Sequence, residues 1–477
     1  MSFVTLKFLS FFALLTVVYW LLPQKLRKLW LLLGCYAFYA LGNGVFALLL
    51  ASDTLLTFFC AIAAERELWG KRKLWTGLGI GFLLGGLFLF KYASFFWENV
   101  LRMKTPALEG WVLPLGISFF TFSICGYLFD VGAGRIHAEE SLLNYGVFAA
   151  FFPTLPAGPI NRASEFLPQL HAEKRYDAGL LRRGFLRFVL GMAKKLVAAD
   201  NIGLYVDAAY ADPTAVSPGA MLAAALLYSF QIYLDFSACT DMACGCAWML
   251  GLSVPENFRA PYLSRSVRTF WKKWHISLTD WFRQYLYFPL GGSRKGKLRT
   301  WLNILIVFAV SGLWHGAGYT FLLWGLLNGC YQVAELLLTP TGQRLRERLH
   351  IREENRLLAL LQGIWTFLLI SAAWVLFRSE DLSQAVYVGK RILLVLRDGL
   401  GPMEALKLVR LRQLALIGLS LLLLLWEDVR RLRGRHSAVE DRPFVYWGVI
   451  LLLALGISFF GVYGIGFDAQ EFVYFQF

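Results

Sequence analysis

The sequence predicts an all-α polytopic integral membrane protein, and three of its features lead to that prediction. Of its 477 residues, 57% are hydrophobic and only 17% are charged, whereas soluble domains contain about 25% charged residues. The mean hydropathy is +0.54. The apolar residues fall into long blocks, which indicates a core that faces lipid. This composition excludes a disordered chain, a fibrous protein and an ordinary soluble enzyme.

The apolar blocks are the candidate membrane helices, and the first covers residues 3–22. No basic segment precedes it, as one would in a signal peptide, so we expect a transmembrane helix that starts outside and ends in the cytoplasm. Further blocks lie at residues 29–64, 74–97, 112–131, 142–156, 184–197, 220–250, 302–338, 357–377, 414–426 and 444–463.

The lengths of these blocks predict a bundle of about 11 helices that cross or nearly cross the membrane, with interfacial and re-entrant helices beside them. Block 29–64 has room for one or two spans. Blocks 142–156 and 184–197 are too short to cross upright, so we expect them to be tilted or re-entrant. No connecting loop is long enough for a separate soluble domain, and no internal repeat is visible. The prediction is a single membrane-embedded domain over residues 1–477.

The net charge is +15, from 47 basic and 32 acidic residues. Most basic residues lie between apolar blocks, where lysine and arginine mark cytoplasmic loops and anionic headgroups. We therefore expect the basic residues to interact with the lipid bilayer and not with nucleic acid. The basic clusters that cap the blocks lie at residues 71–73, 182–183, 294–299, 344–356 and 430–435.

Seven cysteines lie in or beside apolar blocks, and an odd number without pairs in loops argues against a disulfide framework. Cys239, Cys244 and Cys246 are close in sequence and raise the alternatives of a thioester nucleophile or a metal site. No histidine joins them, and cysteine packs well as a small apolar residue. We therefore predict no metal.

Ionisable residues inside apolar blocks are costly to bury and are candidates for function. Asp235 and Asp241 are roughly 120° apart on a helix, so they do not form a ready-made carboxylate pair. Hydrogen bonding between helices is their simpler role, and support of a site or tunnel is the alternative. The candidates are Lys91, Asp130, Asp235, Asp241, His315 and Arg378.

His315 is the sharpest of these candidates. The apolar stretch 302–327 is about 39 Å long as a helix, and His315 falls near its midpoint. Its surroundings, Ser-Gly-Leu-Trp-His-Gly-Ala-Gly-Tyr at residues 311–319, contain three glycines that predict a kink or a close backbone approach. A satisfied core histidine and a catalytic one are both compatible with this pattern.

His275 is the second candidate, within the aromatic and basic segment 268–285. A helical projection places its large apolar residues in one arc roughly 100° wide, with basic residues on the other side. The pattern predicts an interfacial amphipathic helix whose aromatic face lies in the lipid boundary. A plain surface helix is the alternative. The residues of the arc are Trp271, Trp274, Leu278, Trp281, Phe282 and Tyr285.

Several ordered motifs resemble those of the bacterial membrane-bound O-acyltransferase (MBOAT) family, most strongly over residues 110–477. The end of the chain, residues 472–477, is similar to the alginate O-acetyltransferase membrane subunit branch. The motifs are FFPTLPAGPI at 151–160, QIYLDFS at 231–237, PENF at 255–258, FWKKWHISL at 270–278, YLYFPLGG at 285–292 and GLWHGA at 312–317.

The resemblance implies that His315 is the catalytic histidine and His275 a second functional histidine. Trp314, Asp235 and Asp241 are expected to support the site or line an acyl tunnel. The chain departs from the family pattern at residues 237–241, where relatives tend to have a glycine and an aromatic residue instead of Ala238 and Cys239. That departure concerns the acceptor or the tunnel lining and leaves both histidines in place.

The resemblance also implies an enzyme of the bacterial inner or plasma membrane that takes acetyl groups from cytoplasmic acetyl-CoA. The acceptor would be an extracellular polysaccharide such as alginate. An extracytoplasmic acetyltransferase resembling SGNH hydrolases would be its partner, because the chain has no serine in a nucleophile elbow. Two alternatives are teichoic-acid D-alanyl transfer and a non-catalytic acyl or glycan transporter. Paired broken helices and repeated halves, typical of transporters, are not visible in the sequence.

Overall fold

The computed structural model describes residues 1–103, 111–352, 355–400, 411–433, 439, 442–464 and 472. Over these residues every regular element is a helix and there is no β-strand. The prediction of an all-α protein is confirmed.

The first third of the chain forms long helices that follow the apolar blocks. The block at 29–64 contains two helices, separated by a short turn at residues 41–43. The fourth helix includes two π-helical stretches, Phe88–Tyr92 and Phe96–Val100. The helices are α1 (Leu6–Leu21), α2 (Gln24–Ala40), α3 (Gly44–Glu65), α4 (Arg72–Val100) and α5 (Ile117–Gly132).

The two short blocks behave differently from each other. Block 142–156 forms a short helix followed by a buried, non-helical segment at residues 150–161. Block 184–197 is part of a longer helical run over residues 178–211. The apolar block ends earlier than the helix because acidic residues follow it in the sequence. The helices of this part are α6 (Leu142–Ala149), α7 (Ala163–His171), α8 (Ala178–Ala193), the π-helix Lys194–Ala199, α9 (Asp200–Ala211) and α10 (Pro218–Met249).

The remainder of the chain contains three short helices among longer ones. Among the described residues, seven helices are long and apolar enough to cross a membrane: α3, α4, α10, α13, α14, α15 and α19. The apolar helices α1 and α5 are shorter, and the total of about 11 remains a prediction. The helices of this last part of the chain are α11 (Val267–Trp271), α12 (Ile276–Phe282), α13 (Lys297–His315), α14 (Tyr319–Arg348), α15 (Arg356–Arg378), α16 (Leu382–Leu393), α17 (Val395–Asp398), α18 (Leu411–Leu432) and α19 (Pro443–Phe460).

Helix α10 lies at the centre of the bundle and packs against α8, α9, α15 and α16. Of its most apolar window, 72% of the residues are buried, against 6% for α19. Glycines let α8 and α10 approach closely, since a Cβ on Gly184 would lie 2.7 Å from the carbonyl oxygen of Gly245. Small residues at such seams are what membrane helices use to pack. The peripheral helix α19 instead exposes Leu452 to 70%, as a lipid-facing surface does.

Candidate active site

His315 is the last residue of α13, where the chain turns back on itself. The helix ends because Gly316 adopts an extended conformation, and α14 begins only three residues later, at Tyr319. The expectation that His315 lies at the midpoint of one long helix over residues 302–327 is therefore wrong. The apolar block comprises two antiparallel helices, and His315 lies at the tip of their hairpin.

The predicted close backbone approach is confirmed by the glycines of this hairpin. A Cβ on Gly312 would overlap the carbonyl oxygen of Phe321, and one on Gly325 would overlap that of Phe308. Gly325 also approaches Gly312 itself, with 3.1 Å between its ideal Cβ and the Gly312 Cα. The two helices thus touch backbone to backbone just before His315, which fixes where the end of α13 lies.

His275 lies between α11 and α12, at the point where the chain changes direction. Its φ is +44°, a left-handed conformation that is unfavourable for a residue with a side chain. Asn257 holds this turn from a neighbouring segment. Its carbonyl oxygen accepts a hydrogen bond from the N–H of Ile276 at 3.0 Å, and its Oδ1 accepts one from Ser277 Oγ at 2.6 Å. Strained backbone of this kind concentrates at functional sites.

The prediction of one interfacial amphipathic helix over residues 268–285 is wrong. Two short helices meet at residues 272–275, and this break changes the direction in which the following side chains point. Five residues of the predicted lipid-facing arc are buried inside the protein, and Trp281 is half-buried. The prediction that basic residues lie on an exposed side is correct in part, since Lys272 and Arg283 are exposed. The buried five are Trp271, Trp274, Leu278, Phe282 and Tyr285.

The fold brings the two predicted histidines together. Their ring centroids are 6.3 Å apart with an angle of 55° between the planes, and His275 and His315 are 1% and 3% exposed. Trp314 lies beside both, with centroid distances of 5.8 Å to His275 and 4.9 Å to His315. Both imidazoles are thus held in a site from which water is largely excluded.

Aromatic rings form most of the wall around the two imidazoles. The Phe236 ring meets His275 edge-on at 4.7 Å. Trp324 and Phe377 meet His315 at 5.0 and 5.4 Å. The buried indole N–H of Trp314 has no hydrogen-bond acceptor among the described residues. Buried donors in native proteins usually have partners, and the supporting role expected of Trp314 stays a prediction.

Asp235 and Asp241 are bound by basic residues of the helical run that crosses α10. Lys195 Nζ lies 2.7 Å from Asp235 and 2.8 Å from Asp200. Arg187 Nε donates to Asp241 at 2.9 Å, and Lys194 Nζ does so at 2.7 Å. The two acids therefore link helices, which supports the simpler of their predicted roles.

Other ionisable residues singled out from the sequence are also paired. Asp130 accepts hydrogen bonds from Arg135 Nε at 2.7 Å and from the Tyr285 hydroxyl at 2.9 Å. Arg378 donates to Asp207 at 2.7 Å. Asp130 thereby ties α5 to the segment that follows His275.

A cavity of about 470 Å³ leads from the surface to His275. Arg268, Lys272 and Arg283 contribute to its lining, so the cavity is basic as well as apolar. Phe282 and Phe308 belong to its apolar wall. Such a space could hold a ligand with a flexible chain and an anionic head.

The three neighbouring cysteines of α10 are packed inside the protein, and the absence of a metal stays a prediction. Cys239, Cys244 and Cys246 are buried as free thiols. Among the described residues no group of three or more His, Cys, Asp or Glu side chains is placed to hold a metal ion.

Sequence reasoning missed several residues that build this site. Asn257 belongs to a recognised motif, but nothing in the sequence shows that it holds the turn at His275. Arg187, Lys194 and Lys195 were not singled out, although paired lysines in an apolar block were a usable signal.

Comparison with known proteins gives a consistent picture. Residues 135–378 match the family model described as MBOAT, membrane-bound O-acyltransferase family. The chain is 35% identical to a probable alginate O-acetylase of Pseudomonas putida, over 77% of this chain and 75% of the relative. It is 33% identical to a peptidoglycan O-acetyltransferase of Helicobacter pylori, over 76% and 73% of the two chains. A teichoic acid D-alanyltransferase of Bacillus subtilis is 28% identical over 46% of this chain and 59% of the relative.

Proposed function

The chain belongs to the membrane-bound O-acyltransferase family, and from this premise we propose that it moves acetyl groups from cytoplasmic acetyl-CoA to hydroxyl groups of an extracellular polysaccharide. It is a multi-pass bacterial membrane protein and an O-acyltransferase. Two relatives whose names specify O-acetylation of alginate and of peptidoglycan support acetyl as the group and a polysaccharide as the acceptor.

The observation that carries the proposal is the pair of buried imidazoles 6.3 Å apart, one of which, His275, lines a cavity with basic residues in its wall. The phosphates of acetyl-CoA are anionic, and Arg268, Lys272 and Arg283 are suited to bind them. The pantetheine arm is flexible and partly apolar, which fits the aromatic wall of the cavity. The acetyl thioester would then reach the region of His275.

His315 acts as the general base in this proposal. The imidazole removes the proton from a hydroxyl of the partner acetyltransferase that relays the acetyl group to the polymer, as that oxygen attacks the thioester carbonyl carbon. The C–O bond forms, the C–S bond breaks, and the imidazolium returns its proton to the leaving CoA thiolate. His275, which is buried beside His315, is better placed to support this chemistry than to bind phosphates in solvent.

We expect a separate extracytoplasmic acetyltransferase, resembling SGNH hydrolases, to pass the acetyl group to the polymer. A long polysaccharide needs an open, solvated cleft, whereas the two histidines are enclosed. We expect the aromatic end of the chain, residues 472–477, to contribute to docking this partner; it lies outside the described residues except for Phe472. That residue is buried, with its ring 4.7 Å from Lys195 Nζ.

Teichoic-acid D-alanyl transfer is the second candidate, supported by the relative from Bacillus subtilis. The two functions differ in the donor, because D-alanyl transfer would use an activated D-alanine instead of acetyl-CoA. Incubation of membranes with labelled acetyl-CoA or labelled D-alanine, followed by analysis of the polymer fraction, separates them.

The test of the proposed function compares cells without the gene, complemented with the wild type or with His315→Ala. We expect the acetyl content of extracellular polymer to fall without the gene and to return only with the wild type. Loss of a general base should slow transfer by about 10²–10⁴-fold. His171→Ala is the matched control, because His171 is 58% exposed and pairs with Glu139. Full acetylation by a well-expressed His315→Ala variant would contradict the proposal.

A further inference from the structure

Lys91 is an ionisable residue within the apolar helix α4, and all its hydrogen bonds go to neutral oxygens around His315. Its ammonium lies 2.6 Å from the carbonyl oxygen of Trp314, 3.2 Å from that of His315 and 3.3 Å from Ser118 Oγ. An ammonium has three N–H donors, so these three acceptors match its capacity. A lysine at such a position is costly to bury, which makes it a candidate for function.

The neighbouring Tyr92 also binds the C-terminal end of α13. Its hydroxyl donates a hydrogen bond to the carbonyl oxygen of Leu313 at 2.8 Å. Lys91 and Tyr92 both belong to the π-helical stretch Phe88–Tyr92. Because a π-helical turn shifts the direction of side chains relative to a regular helix, this local irregularity lets two consecutive residues reach one target.

The hydrogen bonds account for all four carbonyl groups that an α-helix leaves without an internal partner at its C-terminus. In α13 these belong to residues 312–315. The oxygen of Gly312 accepts from the N–H of Gly316 at 3.3 Å. The other three accept from Lys91 or Tyr92. The end of the helix that carries His315 is thus capped by side chains of α4.

We propose that Lys91, assisted by Tyr92, is a positioning residue. It holds the imidazole of His315 at the position, beside His275, from which it can act on the donor. This inference rests on the proposed function. His315 is the terminal residue of its helix, and helix ends fray unless they are capped. The ammonium also opposes the negative end of the helix dipole at the same place. Lys91 therefore fixes the last turn of α13, whose displacement would separate the two histidines.

The test uses Lys91→Met, which keeps an unbranched side chain only one atom shorter but removes its charge and donors. We expect the rate of labelled acetyl transfer into polymer, measured in inside-out membrane vesicles and divided by the amount of protein, to fall by about 10²-fold. The Kd of the purified protein for acetyl-CoA should change less than twofold, because other residues form the donor cavity. Lys91→Arg, which keeps charge and donors, should restore most of the rate.

Lys7→Met is the control for removing a lysine from an apolar helix, since Lys7 is exposed on α1. It should leave rate and Kd unchanged. If Lys91→Met fails to accumulate, Tyr92→Phe removes only the bond to Leu313 and should lower the rate about tenfold, as loss of roughly one hydrogen bond predicts. Wild-type rates in a folded Lys91→Met variant, or in Tyr92→Phe where the first does not fold, would overturn the proposal.

Hydrogen exchange separates failure of this proposal from failure of the proposed function. In Lys91→Met the amides of residues 316–318 should exchange faster, while those of α10 stay protected. If the wild type transfers no acetyl group but this local change occurs, the function is wrong and the capping role stands. If the wild type transfers acetyl groups and the variant shows neither a change in rate nor faster exchange, the capping role is wrong.

Discussion

His275 combines a candidate catalytic side chain with a backbone conformation that few residues tolerate. Its φ of +44° is accessible to asparagine at lower cost than to alanine. We therefore expect His275→Asn to unfold at a higher temperature than His275→Ala, by a difference corresponding to about 1 kcal/mol. Both variants should lose acetyl transfer if the imidazole takes part in the reaction. Thermal unfolding in detergent and the vesicle transfer assay measure the two effects separately.

Two outcomes at His275 would contradict this interpretation. A lower unfolding temperature for the asparagine variant would show that the left-handed turn is not the source of the difference. Wild-type transfer by His275→Asn would show that His275 only shapes the turn and takes no part in the chemistry.

The sequence allowed the two histidines to be found but not the residues that hold them. His315 stands out because it is a polar residue in an apolar block, and both histidines lie in recognisable motifs. Lys91 stood out for the same reason, yet its target lies more than 220 positions away in the chain. Asn257 has no such signal. Contacts of this range depend on the packing of helices, which local patterns do not encode.

At the scale of elements, the hairpin of α13 and α14 determines where His315 lies. Gly325→Ala should force the two helices apart, because its Cβ would overlap the Phe308 carbonyl oxygen. Overpacking of this kind costs about 1–3 kcal/mol, and we expect both a lower unfolding temperature and slower acetyl transfer. Gly81→Ala in α4 is the control, since a Cβ there meets nothing within 4 Å; it should be neutral or slightly stabilising.

Equal unfolding temperatures for Gly325→Ala and Gly81→Ala would contradict this prediction, because they would show that α13 and α14 can accommodate a methyl group at Gly325. A variant that is destabilised but transfers acetyl groups at the wild-type rate would show that the position of His315 does not depend on this seam.

The two errors in predicting elements have one physical cause. Helical periodicity assumes an unbroken helix, so a break resets the direction of every later side chain. At residues 316–318 two glycines gave a signal for the break. At residues 272–275 the break occurs at a histidine with positive φ, for which the sequence carries no signal, and the aromatic arc was assigned to lipid when it faces the core.

At the scale of the whole molecule, the hairpin agrees with the distribution of charge. One long helix over residues 302–327 would place the basic clusters at 294–299 and 344–356 on opposite sides of the membrane. The antiparallel pair α13 and α14 returns the chain to the side from which it started. Both clusters then lie on one side, as the positive-inside rule requires.

This arrangement predicts the side from which the donor cavity is reached. Thr214 lies just before the start of α10, whereas the cavity lined by Lys272 also includes Ser293 and Thr300, beside the basic start of α13. In a Cys330→Ser background, which removes the one exposed native thiol, Lys272→Cys should react with an impermeant maleimide only in inside-out vesicles. Thr214→Cys, exposed before the start of α10, should react only in intact, right-side-out preparations. Labelling of Lys272→Cys from outside would place the cavity on the extracytoplasmic face, where acetyl-CoA could not serve as its donor.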